Sequence, residues 1–269
     1  MKVDYHIHTL CSDGVFTVKE VIDKALQLSI KSISITDHDT IAAIREAKEY
    51  CENKIEYTAG IEITCREYSF EIMKHPLSIH LLGYGFNEKD KNLNLLLEER
   101  GNRVKKCFLT LLDDLKKYGL NIKLEDIPIS CGTVLQLCDI ENYILKLDSC
   151  FKEQAISYVN SYVELLSKAN ISLINAIDTI HRAGGKVVWA HPFTGYQRFK
   201  RARISKEEVS NIIVTLKSYG VGGIEANYLD FSVEEQLWLQ KIAERNKLFY
   251  TAGSDFHGLP GRCRMGVSI

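Results

Sequence analysis

Up to residue 64 the chain alternates between short apolar runs and longer amphipathic stretches. The runs KVDYHI, KSISIT and IEYTAGIEIT have the length of strands, and FTVKEVIDKALQLSI and TIAAIREAKEYCEN between them carry the spacing of amphipathic helices. An order of strand, helix, strand, helix, strand favours right-handed βαβ units. This pattern therefore predicts an α/β fold with a parallel sheet or barrel.

The start of the first helix is marked by a pair of polar residues. Thr17 and Glu20 have the spacing of a capping box and precede a stripe formed by Val21, Ile22 and Ala25. The residues before Thr17 therefore form a loop between the first strand and the first helix.

The pattern changes at about residue 87 and changes back at about residue 171. Residues 87–170 contain long, charged stretches with the spacing of helices, such as KNLNLLLEERGNRVKKCFLTLLDDLKKYGL, and few strand patterns. Strands and helices then alternate again, which brings the total to about seven strands, too few for an eightfold barrel. We expect a body formed by residues 1–86 and 171–269 and a helical insertion or cap formed by residues 87–170.

Composition narrows the class of protein. The chain has 269 residues, of which 45% are hydrophobic, so it can bury a substantial core without disulfides or a structural metal. The net charge is −1, from 34 basic and 35 acidic residues, which gives no general attraction to long nucleic acid or anionic membranes. The sequence has no secretory leader or membrane-span pattern, and its eight cysteines lack Cys-x-x-Cys spacing, so we expect a cytoplasmic protein with reduced thiols.

Histidines and acids gather where the predicted strands end. A single His-x-His such as His6 and His8 is more often an ordinary pair of polar residues on an edge strand. Here, however, six of the eight histidines fall at such positions, and only His75 and His181 do not. In a parallel α/β barrel the ends of the strands meet at one mouth, so distant residues would converge there. The convergent set is His6, His8, His38, Glu62, His80, His191, Asp255 and His257.

Imidazole nitrogen and carboxylate oxygen without thiolate indicate a Zn, Mn or Fe site rather than a structural zinc knuckle. So many ligands can hold more than one ion, and paired ions stabilise both oxygens of a phosphoryl displacement. The expected reaction is in-line attack on phosphorus by a hydroxide that bridges two ions, without a Ser or Cys nucleophile.

The motifs HIHTLCSDG, ITDHDT, GIEIT, IHLLGYGF, VVWAHP, GIEAN and GSDFHG, taken in this order, resemble the polymerase and histidinol phosphatase (PHP) superfamily of metal-dependent phosphoesterases. The resemblance covers residues 1–86 and 171–258, and is strongest to members that hydrolyse nucleotide phosphates and trim short RNA. It implies a distorted (β/α)7 TIM-like barrel with a trinuclear site.

The resemblance also implies a distribution of ligands. His6, His8, Glu62 and Asp255 would hold one ion. Asp13, His38 and His257 would hold a second, and Glu62 would bridge to a third ion held by His80 and His191. The residues expected to act in catalysis are Asp13, Glu62, His191 and Asp255.

One departure concerns the substrate. Nucleotide-hydrolysing relatives often carry an Arg-Pro-His turn after the helical insertion, and this chain has ISCGTVLQL at residues 129–137 instead. A basic cluster in YQRFKRARIS offers other phosphate ligands, of which we expect Arg198 and Arg201 to bind substrate. A solvated basic face is the alternative interpretation of this cluster.

Other polar residues near the motifs are candidates for supporting roles. Asp37 and Asp39 are candidates for orienting the ligands, or Asp39 caps the next helix. His181 is expected to be structural at a helix C-terminus. Glu225 is expected to be a buried ion-pair partner and Asn227 a polar group at the rim.

These observations predict a phosphohydrolase with two to three divalent ions that acts on a small phosphomonoester. AMP, a nucleoside 3′,5′-bisphosphate or a short oligoribonucleotide is the expected substrate, and long nucleic acid and membranes are not expected partners. Histidinol-phosphate phosphatase is the alternative enzyme, and a non-catalytic metal- or nucleotide-binding module is the alternative of another class.

Overall fold

A computed structural model describes residues 1–129, 132, 135–147, 150–197 and 200–269. The fold is mixed α/β, as predicted. The strands are β1 Lys2–Ile7, β2 Ser32–Ile35, β3 Glu56–Tyr57, β4 Gly60–Thr64, β5 His80–Tyr84, β6 Lys186–Trp189, β7 Thr194–Gln197, β8 Lys200–Arg203, β9 Gly223–Tyr228, β10 Phe249–Gly253 and β11 Val267–Ser268. The helices are α1 Val18–Gln27, α2 Ile44–Cys51, α3 Lys91–Asp114, α4 Leu137–Lys146, α5 Lys152–Ser161, α6 Val163–Ala169, α7 Leu173–Arg182, α8 Lys206–Ser218 and α9 Val233–Arg245, with 3₁₀ turns at Leu115–Tyr118 and Leu124–Asp126.

The predicted capping box at the start of α1 is present. The side chain of Thr17 accepts a hydrogen bond from the Glu20 backbone N–H, and the Glu20 carboxylate accepts one from the Thr17 backbone N–H at 2.8 Å. Such a cap contributes about 1 kcal/mol to helix stability. It fixes where the loop between β1 and α1 ends.

Two sheets and a hairpin contain the strands. The first sheet has the order β11, β1, β2, β3, and the second has the order β10, β9, β6, β5, β4; β7 pairs with β8. Isolated parallel bridges link the edges of the two sheets, at Ile7 with Phe256 and at His38 with Glu62. In the described residues the two sheets do not form one continuous closed barrel.

The direction of β5 differs from the expected parallel arrangement. β5 runs antiparallel to both of its neighbours, β4 and β6. The segment between β4 and β5, residues 65–79, contains no helix that could carry the chain back for a parallel pairing. His80 is therefore the first residue of its strand, opposite Thr64 at the end of β4, and it still lies at the edge where the parallel strands end.

Separate apolar clusters stabilise the body and the insertion. In the body, one buried apolar cluster includes Ile180 of α7, Ile212 of α8 and Ile61 of β4. A second cluster lies within residues 104–166 and includes Leu111 of α3 and Ile140 of α4, whereas Leu93 near the start of α3 belongs to the cluster of the body. Much of the helical segment thus has a small core of its own.

No helix in the described parts of the chain combines the length and apolar character needed to cross a bilayer. The described cysteines, which are all except Cys131, are free thiols.

Candidate metal centre

Nine side chains predicted as metal ligands meet at one edge of the two sheets. β1 supplies His6, and the residues that follow β1, β2, β6 and β10 supply most of the others. The nine are His6, His8, Asp13, His38, Glu62, His80, His191, Asp255 and His257. His6, His8 and Glu62 are fully buried, whereas the side chains of Asp13 and His38 are 22% and 21% exposed and mark the side that faces solvent.

Glu62 lies at the middle of the cluster. Three imidazoles surround its Oε2 and two surround its Oε1. The distances to Oε2 are 3.0 Å from His6 Nε2, 3.0 Å from His8 Nε2 and 3.4 Å from His38 Nε2. The distances to Oε1 are 2.9 Å from His80 Nδ1 and 3.3 Å from His191 Nε2. Each oxygen of this carboxylate thus faces a different set of imidazoles.

Two aspartates complete the cluster on the side away from His80. Asp255 Oδ1 lies 3.5 Å from His6 Nε2 and 3.3 Å from His8 Nε2. Asp13 lies 3.2 Å from His257 Nε2 and 3.3 Å from His8 Nδ1. His8 therefore stands between the two aspartates.

The donor atoms fall into three groups, each with a ligand atom of every member within 4.8 Å of the others. The groups are His6, His8, Glu62 and Asp255; His8, Asp13, His38 and His257; and His38, Glu62 and His80. The first matches the set expected for one ion. The second contains the expected Asp13, His38 and His257 together with His8, and the third contains His38 where His191 was expected.

The hydrogen bonding of His8 fits a cation. Within the described residues neither ring nitrogen of His8 has a hydrogen-bond partner, although the ring is fully buried. Carboxylate oxygens lie nearby, but they are not in hydrogen-bonding geometry. A buried ring nitrogen without a hydrogen-bond partner lowers the stability of the fold by roughly 1–3 kcal/mol. Coordination of the nitrogen to a cation would remove this penalty. The donor set of nitrogen and oxygen suits Zn, Mn or Fe.

The electrostatics of the centre favour cations. Burial opposes ionisation of Glu62, but the imidazoles of His38, His6 and His80 hold the pKa of this carboxyl well below its usual range. The pKa of Asp255 is likewise low despite burial, mainly because of His6 and His8. Burial lowers the pKa of His38 to about 3, although the carboxylates of Glu62 and Asp13 act in the opposite direction.

Residues around the cluster fix the orientation of the candidate ligands. The Glu225 carboxylate lies 2.9 Å from His6 Nδ1 and accepts a hydrogen bond from the His191 backbone N–H at 2.8 Å. It is the buried ion-pair partner that the sequence indicated, and it leaves His6 Nε2 for the centre. Tyr228 donates to Asp255 at 3.0 Å, and Thr64 Oγ1 lies 3.2 Å from His38 Nδ1.

The two aspartates that flank His38 have different partners. Asp37 accepts hydrogen bonds from the backbone N–H and hydroxyl of Thr9, both at 2.7 Å, and from the Ser12 hydroxyl at 2.6 Å. It therefore holds the loop after β1. Asp39 accepts from the Thr64 N–H at 3.1 Å and pairs with Arg100 of the insertion at 2.9 Å.

The alternative role of Asp39 as a helix cap does not apply, because α2 begins after Ala43 without a side-chain cap. His181 lies in the last turn of α7, away from the cluster, in line with a structural role. Asn227 lies in β9 and accepts a hydrogen bond from Gln240 at 2.5 Å.

Three residues in or next to the cluster have a strained backbone conformation. Asp39, His191 and Asp255 have positive φ angles of 53°, 31° and 54°, a conformation that is uncommon for residues other than glycine. Strained backbone of this kind clusters at functional sites.

An open cavity of about 530 Å³ adjoins the exposed side of the cluster. The body contributes polar groups that include Asp13, His38, Tyr196 and Arg262, and the insertion contributes mostly apolar side chains. The insertion side is formed by Arg100, Val104, Phe108, Leu135, Gln136, Leu137, Cys138, Leu166 and Asn170.

Of the two arginines expected to bind substrate, the one that the structure describes, Arg201, is not in the lining of this cavity. Arg198 lies outside the described residues. Arg201 is exposed on β8, where it donates to Thr194 Oγ1 at 3.3 Å. Sequence reasoning missed Arg100 and Arg262, which do line the cavity.

Comparison with known proteins agrees with this geometry. A family model described as PHP domain matches residues 4–211. The chain belongs to the PHP domain family. The resemblance inferred from the motifs is thereby confirmed.

Relatives of this PHP domain protein extend over nearly the whole chain. A 5′-3′ exoribonuclease from Haemophilus influenzae is 26% identical over 272 residues, covering 100% of this chain and 94% of the relative. A phosphoribosyl 1,2-cyclic phosphate 1,2-diphosphodiesterase from Eggerthella lenta is 26% identical, with 96% and 95% covered. A 3′,5′-nucleoside bisphosphate phosphatase from Chromobacterium violaceum is 24% identical, with 96% and 88% covered. These relatives confirm the prediction of a phosphoester hydrolase.

The fold of the PHP domain protein also matches a solved structure. A protein from Bifidobacterium adolescentis, described as a metal-dependent phosphoesterase, has a TM-score of 0.67 at 23% identity, with 98% of this chain and 90% of the other covered. The match supports the mixed α/β arrangement of sheets and helices.

Proposed function

We propose that the chain hydrolyses a small phosphomonoester with the help of two to three divalent ions, and that the substrate is a nucleotide or the end of a short oligoribonucleotide. The observation that carries this proposal is the buried Glu62, which contacts five imidazoles beside an open cavity. A structural metal site needs no such opening.

The nine predicted ligands would hold the ions, with Glu62 shared between neighbours. When bound, Mn, Zn or Fe would polarise phosphoryl oxygens and make water more acidic. Glu225 keeps His6 oriented with Nε2 toward the centre, and Asp37 holds the loop that carries Asp13. These contacts keep the ligands in place before the substrate arrives.

His80 and His191 leave two roles open. Both lie next to Glu62 Oε1, where they would complete a third cation site. Alternatively, one of the two imidazoles donates a proton to the leaving oxygen, a role that histidine often has in general acid catalysis.

The scaffold that we propose is a distorted barrel of β1, β2, β4, β5, β6, β9 and β10, with residues 87–170 as its cap. The two isolated bridges between the sheets support this interpretation of the strands. The contact between Arg100 and Asp39 supports a cap that rests on the rim of the centre.

The cavity wall favours a nucleotide over histidinol phosphate. Val104, Leu135 and Leu137 are half-buried apolar side chains on the insertion side, and a flat base would bury apolar surface against them. Histidinol phosphate carries an amine that would seek an acidic partner. The acids that line the cavity are Asp13, which lies beside His257, and Asp39, which pairs with Arg100.

The relatives that act on a nucleoside bisphosphate and on RNA support the same substrate class. The near-neutral charge of the chain argues against long nucleic acid, which needs an extended basic surface. A non-catalytic module is disfavoured, because the nine ligand positions of the family motifs are filled by ligand residues.

A phosphate-release screen with Mn²⁺ tests the proposal. AMP, adenosine 3′,5′-bisphosphate, histidinol phosphate and short oligoribonucleotides should be compared at equal concentration. We expect the highest kcat/KM for one of the nucleotide substrates. A clear preference for histidinol phosphate would overturn the substrate class, and no release from any of these compounds would overturn the proposed function.

A further inference from the structure

Arg262 stands at the boundary between the candidate metal centre and the cavity. It lines the cavity, and its side chain is 33% exposed. We propose that Arg262 binds the phosphate of the substrate, a role that rests on the proposed function and replaces the arginine expected from the insertion.

A short turn holds the backbone of Arg262 next to a candidate ligand. The Arg262 N–H donates to Leu259 O at 2.8 Å, and the Arg262 carbonyl accepts from the N–H groups of His257 and Gly258, both at 3.0 Å. Gly258 has a φ angle of 77°, which a residue with a side chain would adopt only with strain. The arginine is thus fixed relative to His257 and is not carried on a free loop.

The guanidinium uses only one nitrogen in its contacts with the centre. Nη1 lies 3.2 Å from His257 Nε2 and 3.5 Å from Asp255 Oδ2. Within the described residues, Nε and Nη2 have no hydrogen-bond partner. A planar fork with unused donors is suited to two phosphate oxygens at once.

The other arginine in the cavity wall is already engaged. Arg100 Nη2 lies 2.9 Å from Asp39 and 3.1 Å from the side-chain oxygen of Asn170. Asp39 approaches the Arg100 guanidinium more closely than Asp255 approaches that of Arg262, at 2.9 Å against 3.5 Å. Among the arginines that line the cavity in the described parts, Arg262 therefore has the greater capacity for an anion.

Metal binding at His257 is compatible with this role. The lone pair of His257 Nε2 can either accept a hydrogen bond or bind a cation. A cation at this nitrogen would therefore exclude the hydrogen bond from Arg262 Nη1. The guanidinium would then be free to donate to an oxyanion. Arg262 would be a substrate ligand that neighbours the metal ligands without being one of them.

A competing explanation is that Arg262 only orients His257 and Asp255. That role predicts loss of metal when the arginine is replaced, whereas phosphate binding predicts that metal is retained. Binding of inorganic phosphate, the expected product, separates the two without requiring turnover.

The experiment compares Arg262→Gln and Arg262→Lys with a matched control, Arg264→Gln. Arg264 lies two residues further on, where it forms an exposed pair with Asp230 at 2.6 Å. For each Mn²⁺-loaded protein we would measure metal content by elemental analysis, phosphate affinity by calorimetry, and KM and kcat with the best substrate of the screen. Thermal unfolding checks that each variant is folded.

We expect Arg262→Gln to keep its metal and to lose phosphate affinity by roughly tenfold or more. The reason is that hydrogen bonds between charged groups are stronger than those between neutral groups. KM should rise by a similar factor, Arg262→Lys should recover part of the loss, and Arg264→Gln should match the wild type. Phosphate affinity equal to the control, or metal loss in Arg262→Gln, would overturn the proposal. A wild type that binds phosphate through Arg262 and hydrolyses no phosphomonoester would contradict the proposed function alone.

Discussion

The candidate metal centre and the cavity wall of the insertion face each other, but they are built differently. The centre consists of buried polar side chains on or next to the strands of the body, with Glu62 completely enclosed. The wall consists of half-buried apolar side chains on helices that have a core of their own, such as Leu137 on α4.

This difference assigns separate tasks to the two regions. Buried charged groups must be paired, so the centre tolerates little change without losing its cations or its fold. The free energy of an apolar contact with a substrate depends on the area that is buried, so a substitution in the wall changes it gradually. We therefore expect changes in the centre to act on kcat and metal content, and changes in the wall to act on KM and substrate choice.

The largest effect is expected from Glu62→Gln. An amide keeps the size of the side chain but removes the negative charge that five imidazoles surround. We expect kcat to fall by roughly a thousandfold or more, since each ion contributes several kcal/mol to transition-state stabilisation. Phosphate release and metal content should be measured beside Glu98→Gln, an exposed control on α3. A Glu62→Gln protein that keeps its full metal content and its activity would contradict the assignment of this cluster as the metal centre.

Combined replacement of His80 and His191 by alanine tests the third cation. Both imidazoles contact Glu62 Oε1, so their loss should lower bound metal from about three to about two per chain, as expected for one ion of a cluster. Elemental analysis after gel filtration measures the ratio. Unchanged metal content with lost activity would favour the proton-donor role instead.

A smaller effect is expected from Glu225→Gln. The Glu225 carboxylate serves both His6 Nδ1 and the His191 N–H, whereas an amide can accept at only one of these positions. Loss of such an orienting contact should weaken metal affinity by about 10- to 100-fold. Competition with a chelator measures the affinity, and wild-type values would show that Glu225 is only a packing residue.

The smallest effect is expected from Leu137→Asn, in the wall. Its matched control is Leu145→Asn, on the same helix but 57% exposed and not in the cavity lining. We expect KM for AMP to rise severalfold, in line with the loss of one apolar contact, with kcat retained. KM for ribose 5-phosphate, which lacks a base, should stay constant. An equal rise for both substrates would show that the wall does not contact the base.

The chemistry of the centre was predictable from sequence because its residue types are rare and their positions regular. His6, His38 and His191 stand out since histidines at successive strand ends have little reason to recur without a shared partner. The direction of β5 was not predictable, because nothing in the sequence around His80 distinguishes an antiparallel strand from a parallel one.

The residues that bind substrate were harder to infer. Arg198 and Arg201 were chosen because they follow a motif closely, whereas Arg201 points elsewhere and donates to Thr194. Arg100 reaches Asp39 from a helix of the insertion, and Arg262 reaches the centre through a tight turn. Arginine is common on surfaces, so only the fold reveals which arginines face a site.

The central claim is that the protein hydrolyses a small phosphomonoester with divalent ions held around Glu62. Its most direct test is to strip the chain of metal with a chelator, verify the removal by elemental analysis, and titrate Mn²⁺ while following phosphate release from AMP. The account predicts no release from the stripped protein and recovery that saturates at two to three ions per chain. Full activity in protein shown to be free of metal would contradict it.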